Sequence, residues 1–293
     1  MSRHELAASV SRTILFWATS VNLFRVLELE KLCDLYFELS NEARMQILQT
    51  LTEGPIKLTR LSNRLDITNQ ECSRHLSRLM DADLITRDSN GSYMLGPYGE
   101  VCIRLQRTQE FVTRHREYFT TRDMTGIPEK FLQRINELRG SEYIDDLLIT
   151  VHLIEEMVLD SEEYIMSAVD QYPANIYEIN KVAWKKGVSM LALEPEDWAP
   201  PAQFIEERNA AEEAFTVARR DGLLEERYVD SLPFMLWVSE KAAEVMFPTT
   251  QGEFDYKGFS VSSTDGIQWC RELFHHFWEP AKRRPEPFPY GNP

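Results

Sequence analysis

A predicted helix from Asn69 to about Met80 has one apolar face and one polar face. The polar face consists of Asn69, Gln70, Ser73, Arg74, Ser77 and Arg78. In the major groove of DNA, arginine binds guanine through two hydrogen bonds, and asparagine or glutamine binds adenine in the same way. We therefore predict base contacts from Gln70, Ser73, Arg74 and Ser77. The same polar face on an isolated helix would simply be solvated, so the neighbouring elements decide between the two interpretations.

Basic and hydroxyl side chains close to this helix are suited to phosphate oxygens, which position a protein on DNA without reading its sequence. We predict phosphate contacts from Lys57, Thr59, Arg60, Thr68 and Arg78. A second group lies on a predicted hairpin and is expected to touch the minor groove or its backbone. It consists of Arg87, Asn90 and Gly91.

The helices that must position these residues are marked by local signals. Helices are predicted at residues 42–51, with Ser40 as the N-cap, and at residues 60–65, with Thr59 as the N-cap. Thr68, with Glu71 three residues later, forms a capping-box pattern that starts the third helix.

A two-stranded wing follows the third helix. Strands are predicted at residues 84–87 and 93–95, joined by a turn that contains Asn90-Gly91, the strongest short hairpin signal. Two helices, a tight turn, a third helix and a hairpin follow the order of a winged helix-turn-helix. This order favours DNA binding over a merely solvated helix face.

The net charge of −15 is unevenly distributed along the chain. Residues 1–126 contain 16 basic and 16 acidic residues, so the whole excess of acidic residues falls on residues 127–293. Charges more than about 10 Å apart are largely screened at physiological salt. The acidic part therefore does not prevent a local basic surface from binding phosphate.

The chain is predicted to be an α+β multidomain protein, with a winged helix-turn-helix N-terminal domain followed by an α/β regulatory domain. Alternating helix and strand patterns after the Thr125–Pro128 boundary are typical of an α/β domain. A long helix is predicted from Tyr98 to about Arg122, with apolar residues close to heptad spacing. The predicted divisions are an N-terminal amphipathic dimerisation helix at 1–38, the winged helix-turn-helix at 39–97, a linker and dimerisation helix at 98–126, the regulatory domain at 127–283 and a flexible tail at 284–293.

An apolar stretch from Ala7 to Leu29 is interrupted by polar residues, including Arg12, Asn22 and Arg25. Its apolar residues recur at helical spacing, which favours a buried or dimer-forming amphipathic helix. A membrane-tethered sensor is the alternative. We expect no membrane contact.

Residues suited to metal binding or catalysis do not form a familiar pattern. The four cysteines are widely spaced, which fits a reducing cytosol and predicts a cytoplasmic protein. Cys72 and His75 form a single C-x-x-H pair, too few ligands for a transition metal. Nucleophile-elbow, Walker and dinucleotide-binding motifs are absent. We expect no metal, no cofactor and no enzymatic activity.

The acidic part contains five of the six tryptophans. Two interpretations are open: these side chains line a ligand pocket, or they fill a hydrophobic core. The residues proposed for a pocket combine aromatic and basic side chains. They are Arg227, Tyr228, Trp237, Lys241, Arg271 and His276.

Two parts of the chain resemble known families. Residues 39–100 resemble the winged-helix domain of ArsR-type archaeal regulators. The resemblance rests mainly on the S-x-E-A-R start at 40–44 and on the wing sequence DLITRD at 83–88. Residues 164–195 and 247–282 resemble the regulatory domain of the methanogenesis regulatory protein family. The resemblance implies an archaeal homodimeric transcription regulator with undefined ligand specificity. Metal-sensing ArsR proteins use paired cysteines, which are missing here, so metal sensing is not predicted.

The predicted function is sequence-specific regulation of transcription by a homodimer on a double-stranded DNA operator, modulated by a small-molecule effector. The alternative is a protein-interaction adaptor that keeps the winged-helix fold and acts through its acidic domain. An adaptor has no reason to keep the helix face at 69–78 basic.

Overall fold

The computed structural model describes residues 28–173, 175–197 and 205–283. The chain divides into two compact units, residues 1–106 and residues 107–293. Its fold class is α+β, with a helix-turn-helix N-terminal unit followed by a unit of mixed helix and sheet. The predicted tail at 284–293 and residues 1–27 of the predicted N-terminal helix lie outside the described residues. Within the described residues, no helix has the length and apolar character needed to span a membrane.

The N-terminal unit consists of helices and a small antiparallel sheet of strand order β1-β3-β2. Its elements are α1 (28–39), α2 (Glu42–Leu51), β1 (Ile56–Lys57), α3 (Leu58–Leu65), α4 (Asn69–Asp81), β2 (Ile85–Arg87), β3 (Ser92–Leu95) and the start of α5 (Pro97–Arg114).

Two of the predicted helix caps are placed differently in the structure. The N-cap of α2 is Asn41, whose side chain accepts a hydrogen bond from the Arg44 backbone N–H, so the prediction of Ser40 was wrong. Helix α3 begins at Leu58, before Thr59, and no side chain caps it.

The core of this unit forms where α2, α3 and α4 turn their apolar faces towards one another. Ile47, Leu48, Leu61, Leu76 and Leu79 are completely buried there. The start of α5 also packs closely on the segment that precedes β2. A Cβ atom added at Gly99 would lie 1.9 Å from the carbonyl oxygen of Leu84, so only glycine permits this approach.

The second unit is built on an eight-stranded sheet of order β11-β7-β6-β5-β8-β9-β10-β4. Strands β5, β6 and β7 are parallel, and the other pairings are antiparallel. The elements after α5 are α6 (Arg116–Phe119), α7 (Glu129–Leu132), a 3-10 helix (Ile135–Leu138), β4 (Glu142–Ile144), α8 (Leu147–Asp160), β5 (Tyr164–Ala168), α9 (Ile176–Lys185), β6 (Ser189–Pro195), α10 (Ile205–Ala210), α11 (Glu212–Arg220), β7 (Leu224–Val229), β8 (Met235–Ser239), β9 (Ala243–Met246), β10 (Gly258–Val261), α12 (Thr264–Trp278) and β11 (Lys282–Arg283).

The long helix predicted from Tyr98 to about Arg122 ends earlier, at Arg114. His115 leaves the helical conformation, with φ −104° and ψ 33°, and α6 follows as a separate turn. Aromatic packing accompanies this break. The rings of Phe111 and Tyr118 lie 5.3 Å and 5.1 Å from that of Phe259 on β10.

Each face of the large sheet covers a hydrophobic core. Successive residues of a strand point to opposite faces, and the neighbours Ile165 and Met166 accordingly belong to different clusters. One core includes Trp269 and Phe274 of α12. The other includes residues of α8, α9 and α11 around Trp237.

One of the carboxyl groups buried in the sheet belongs to Glu244. Glu244 on β9 is 2% exposed and lies in register with Trp237 and Ser260 on the neighbouring strands. Burial raises the pKa of Glu244 to about 8, and the negative charge of Glu142 contributes to the rise. The group is therefore protonated in the folded protein at neutral pH.

We predict that Glu244 makes the free energy of unfolding fall as the pH rises from about 4.5 to about 8. In that window the folded protein keeps the proton that the unfolded chain has lost. Glu244→Gln should therefore gain stability relative to the native sequence as the pH rises, by up to about 1.4 kcal/mol per pH unit. Urea denaturation at pH 6, 7 and 8 measures this difference.

The matched control is Glu206→Gln, which removes an exposed carboxyl group from α10 in the same unit and should keep the pH dependence of the native sequence. Identical pH dependence of the Glu244→Gln variant and the native sequence would contradict the prediction.

Candidate nucleic-acid interface

The orientation of α4 follows from the residues that it buries. Cys72, His75, Leu76 and Leu79 face the core of the N-terminal unit. Residues of the opposite side are exposed, as the helical period requires. These exposed residues are Asn69, Gln70, Ser73, Arg74, Ser77 and Arg78. All four residues predicted to contact bases therefore lie on one accessible helix face.

The start of α4 is fixed by two side-chain hydrogen bonds. Thr68 is the N-cap, and its hydroxyl oxygen accepts a hydrogen bond of 3.1 Å from the backbone N–H of Glu71. The Oγ of Ser62 on α3 donates to Oδ1 of Asn69 at 2.6 Å. Thr68 thus has a structural role besides its predicted phosphate contact, and the Asn69 side chain is partly engaged within the protein.

Arg78, at the other end of this face, takes part in an ion pair. Its Nε donates to a carboxylate oxygen of Glu38 on α1 at 3.1 Å, and its guanidinium lies 5.2 Å from the ring centre of Phe37. The hydrogen bond from Arg78 lowers the pKa of Glu38. Sequence reasoning missed Glu38, because no periodic signal connects two residues 40 positions apart.

The remaining predicted phosphate contacts lie on β1 and α3. Lys57 ends β1, and Thr59 and Arg60 lie in the first turn of α3. All three are exposed. Helix α3 therefore carries polar side chains outward immediately before the turn into α4.

The wing has the predicted tight turn. The Asp88 side chain accepts hydrogen bonds from the backbone N–H groups of Asn90 and Ser92, and Gly91 adopts φ +81°, which favours glycine. Asn90 is exposed at the tip. The guanidinium of Arg87 lies 5.3 Å from the ring centre of Tyr93, so the aromatic ring orients this basic side chain.

The cysteine and histidine on α4 are packed in the core. Burial raises the pKa of the Cys72 thiol and lowers the pKa of the His75 imidazole. Within the described residues, no three histidine, cysteine or acidic side chains are grouped so as to hold a metal ion.

The six residues proposed for a ligand pocket in the acidic part do not meet at one site. Of the six, only Trp237 lines the cavity on the α9 side of the sheet. Lys241 pairs with Glu162, and His276 lies next to Lys130.

The remaining three also have separate surroundings. Arg227 donates to the backbone oxygen of Trp278, and Arg271 lies over the ring of Tyr164. Tyr228 pairs with Lys282 of β11. The sequence gives the types of these six residues without the sheet face that each occupies, so their grouping rested on chemistry alone.

Comparison with known proteins supports the assignment of the N-terminal unit. Residues 39–88 match a family model described as a helix-turn-helix domain. This match supports DNA binding by a helix-turn-helix regulator. A search of curated proteins finds no match to this sequence.

Among solved structures, the chain is similar to the archaeal chromatin protein TrmBL2, with 15% identity, a TM-score of 0.40, and coverage of 83% of this chain and 94% of that chain. It is also similar to Nuc, a phospholipase D family member from Salmonella typhimurium, with 14% identity, a TM-score of 0.33, and coverage of 45% of this chain and 89% of that chain. With TM-scores below 0.5, these similarities support no conclusion about function.

We predict that Thr68→Val lowers the free energy of unfolding by about 1 kcal/mol, because it removes the hydroxyl that caps α4. Urea denaturation compares the variant with the native sequence. Thr59→Val is the matched control. Thr59 is an exposed threonine in the first turn of α3, a helix that no side chain caps. Equal loss of stability in both variants would refute the capping role.

Proposed function

We propose that this chain is a sequence-specific DNA-binding regulator of transcription that acts as a homodimer and responds to a small-molecule effector. In this proposal it is not an enzyme. The finer family assignment, an ArsR-type reader joined to a regulatory domain of the methanogenesis regulatory protein family, is part of the same proposal.

The exposed polar face of α4 is the observation that carries the proposal. Gln70, Ser73, Arg74 and Ser77 present donors and acceptors from a helix whose other side is fixed in the core. An α-helix fits the major groove, where base pairs show distinguishable hydrogen-bonding patterns. The second helix of a helix-turn-helix enters that groove with its N-terminal residues foremost. Helix α4, which follows α3 after a short turn, corresponds to this second helix.

Basic and hydroxyl groups around α4 supply the phosphate contacts of the proposal. Lys57, Thr59 and Arg60 are exposed on β1 and α3, and Arg87 is exposed on the wing. Neutralising phosphates releases condensed counterions, so affinity should fall steeply as the salt concentration rises.

The dimer part of the proposal rests on apolar side chains exposed along α5. Tyr98, Val101, Leu105 and Val112 are 47%, 53%, 70% and 37% exposed. Their spacings of three, four and seven residues place them on one helix face, as in a coiled-coil seam. A second copy of this chain covers this face in the proposed dimer. A two-fold dimer would then read a pseudo-palindromic operator with half-sites about one helical turn apart.

We predict that Arg74→Ala weakens binding to the specific operator about tenfold or more and weakens binding to a scrambled duplex much less. The loss of a two-bond guanine contact costs about 1–3 kcal/mol of discrimination. Fluorescence anisotropy on DNA from the protein's own promoter and on the scrambled duplex, across a salt series, measures both affinities.

Arg220→Ala is the matched control, because Arg220 is an exposed arginine of the second unit. It should leave both affinities unchanged. If the native protein does not discriminate between the two duplexes at any salt concentration or effector state, the regulator proposal is wrong.

A second prediction concerns the α5 face. Leu105→Asp should convert the homodimer to a monomer of 34.2 kDa, because it places a charge at the most exposed apolar position of the seam. Light scattering after size-exclusion chromatography gives the mass. Val182→Asp, at a 43% exposed apolar position on α9, is the control and should remain dimeric. A native protein that is monomeric at micromolar concentration would exclude the dimer.

A further inference from the structure

A cavity lies in the second unit, on the face of the sheet covered by α9 and α11. Strands β5 to β8 form its floor, and residues of α9, α10 and α11 line its opposite side. The space in which the centre of a water-sized group can lie is about 30 Å³. On the same measure, one water needs roughly 10–15 Å³. The cavity therefore has room for a molecule larger than a single water.

Two residues that line this cavity each have a buried polar atom with no hydrogen-bond partner among the described residues. Asn180 on α9 is 7% exposed and Trp237 on β8 is 2% exposed, and both line the cavity. These atoms are Oδ1 of Asn180 and Nε1 of Trp237, both buried and unpaired within the part of the chain that the structure describes. Buried polar groups in native proteins are normally paired. This pair of atoms, one acceptor and one donor, defines the hydrogen bonds that a ligand would complete.

The charged groups of the lining are already engaged within the protein. Glu226 pairs with Arg219 at 2.6 Å, and Arg208 pairs with Glu212. Glu194 accepts a hydrogen bond of 2.8 Å from the hydroxyl of Tyr172. A charged ligand would have to compete with these contacts, whereas an uncharged one uses the neutral donor and acceptor. The rest of the lining is mainly apolar, with Ile176, Phe215 and Leu224 among its members.

We propose that this cavity binds a small uncharged molecule with an apolar body and one primary amide or hydroxyl group. The indole N–H of Trp237 donates to the oxygen of that group, and Oδ1 of Asn180 accepts a hydrogen bond from its N–H or O–H. A mainly apolar pocket with a few placed polar groups is the usual form of a small-molecule site. The binding does not depend on DNA, whereas an effector role for this ligand rests on the proposed function.

The test uses the full-length protein and the indole N–H resonances of its tryptophans in nitrogen–proton correlation spectra, assigned through Trp237→Phe. Propionamide and 1-propanol are the uncharged probes for the two head groups. Propionate is the charged probe of nearly the same shape as propionamide. Trp184 is an internal control, because its buried Nε1 is also unpaired but the residue does not line this cavity.

We expect at least one uncharged probe to shift the Trp237 resonance saturably, with the Trp184 resonance unchanged and propionate binding at least tenfold more weakly. Asn180→Leu should weaken binding about tenfold, because it removes the acceptor while the Trp237 reporter remains. The proposal is overturned if neither uncharged probe gives a saturable shift, if propionate binds equally well, or if both indoles shift alike. None of these results affects the anisotropy experiment with DNA, so failure of the cavity proposal and failure of the regulator proposal are distinguishable.

Discussion

The burial of one side of α4 is the constraint on which the candidate interface depends. Cys72, Leu76 and Leu79 are completely buried against α2 and α3. Since helical residues three and four positions apart share a face, this packing leaves the positions between them at the surface. Substituting a buried leucine of this kind by alanine typically costs 2–5 kcal/mol. The same contacts that stabilise the N-terminal unit therefore determine which polar side chains approach DNA.

Elements with strong local signals were predicted well from the sequence, and elements that depend on distant partners were not. Helix α4 has a capping threonine and clear amphipathic spacing, and it begins at Asn69 as predicted. Strands β4 and β10 were missed, because they have three and four residues and are stabilised by pairing with each other across the sheet. The end of α5 was missed for a similar reason, since Phe259, far along the chain, contacts the residues around the break.

The candidate interface shows the same division between local and distant information. The exposed face of α4 follows from residue spacing alone. Residue spacing does not predict the hydrogen bond from Ser62 to Asn69 or the ion pair between Arg78 and Glu38. Both depend on how α3 and α1 pack beside α4. In the second unit, the residue types suggested a pocket, yet Asn180 lay outside the predicted set. Its position in the cavity depends on how α9 crosses the sheet.

The ion pair with Glu38 leaves the Arg78 side chain able to contact a phosphate instead. Glu38 also contacts the buried Arg44, whose Nε lies 3.0 Å from a carboxylate oxygen of Glu38. Arg44 donates in addition to the backbone oxygens of Phe37 and Glu38, at 2.7 Å each. If Arg78 moves to a phosphate, Glu38 keeps Arg44 as its partner, and no buried charge is left unpaired. Because an unpaired buried charge is the main cost of breaking such a pair, the network allows Arg78 to exchange a carboxylate for a phosphate at low cost.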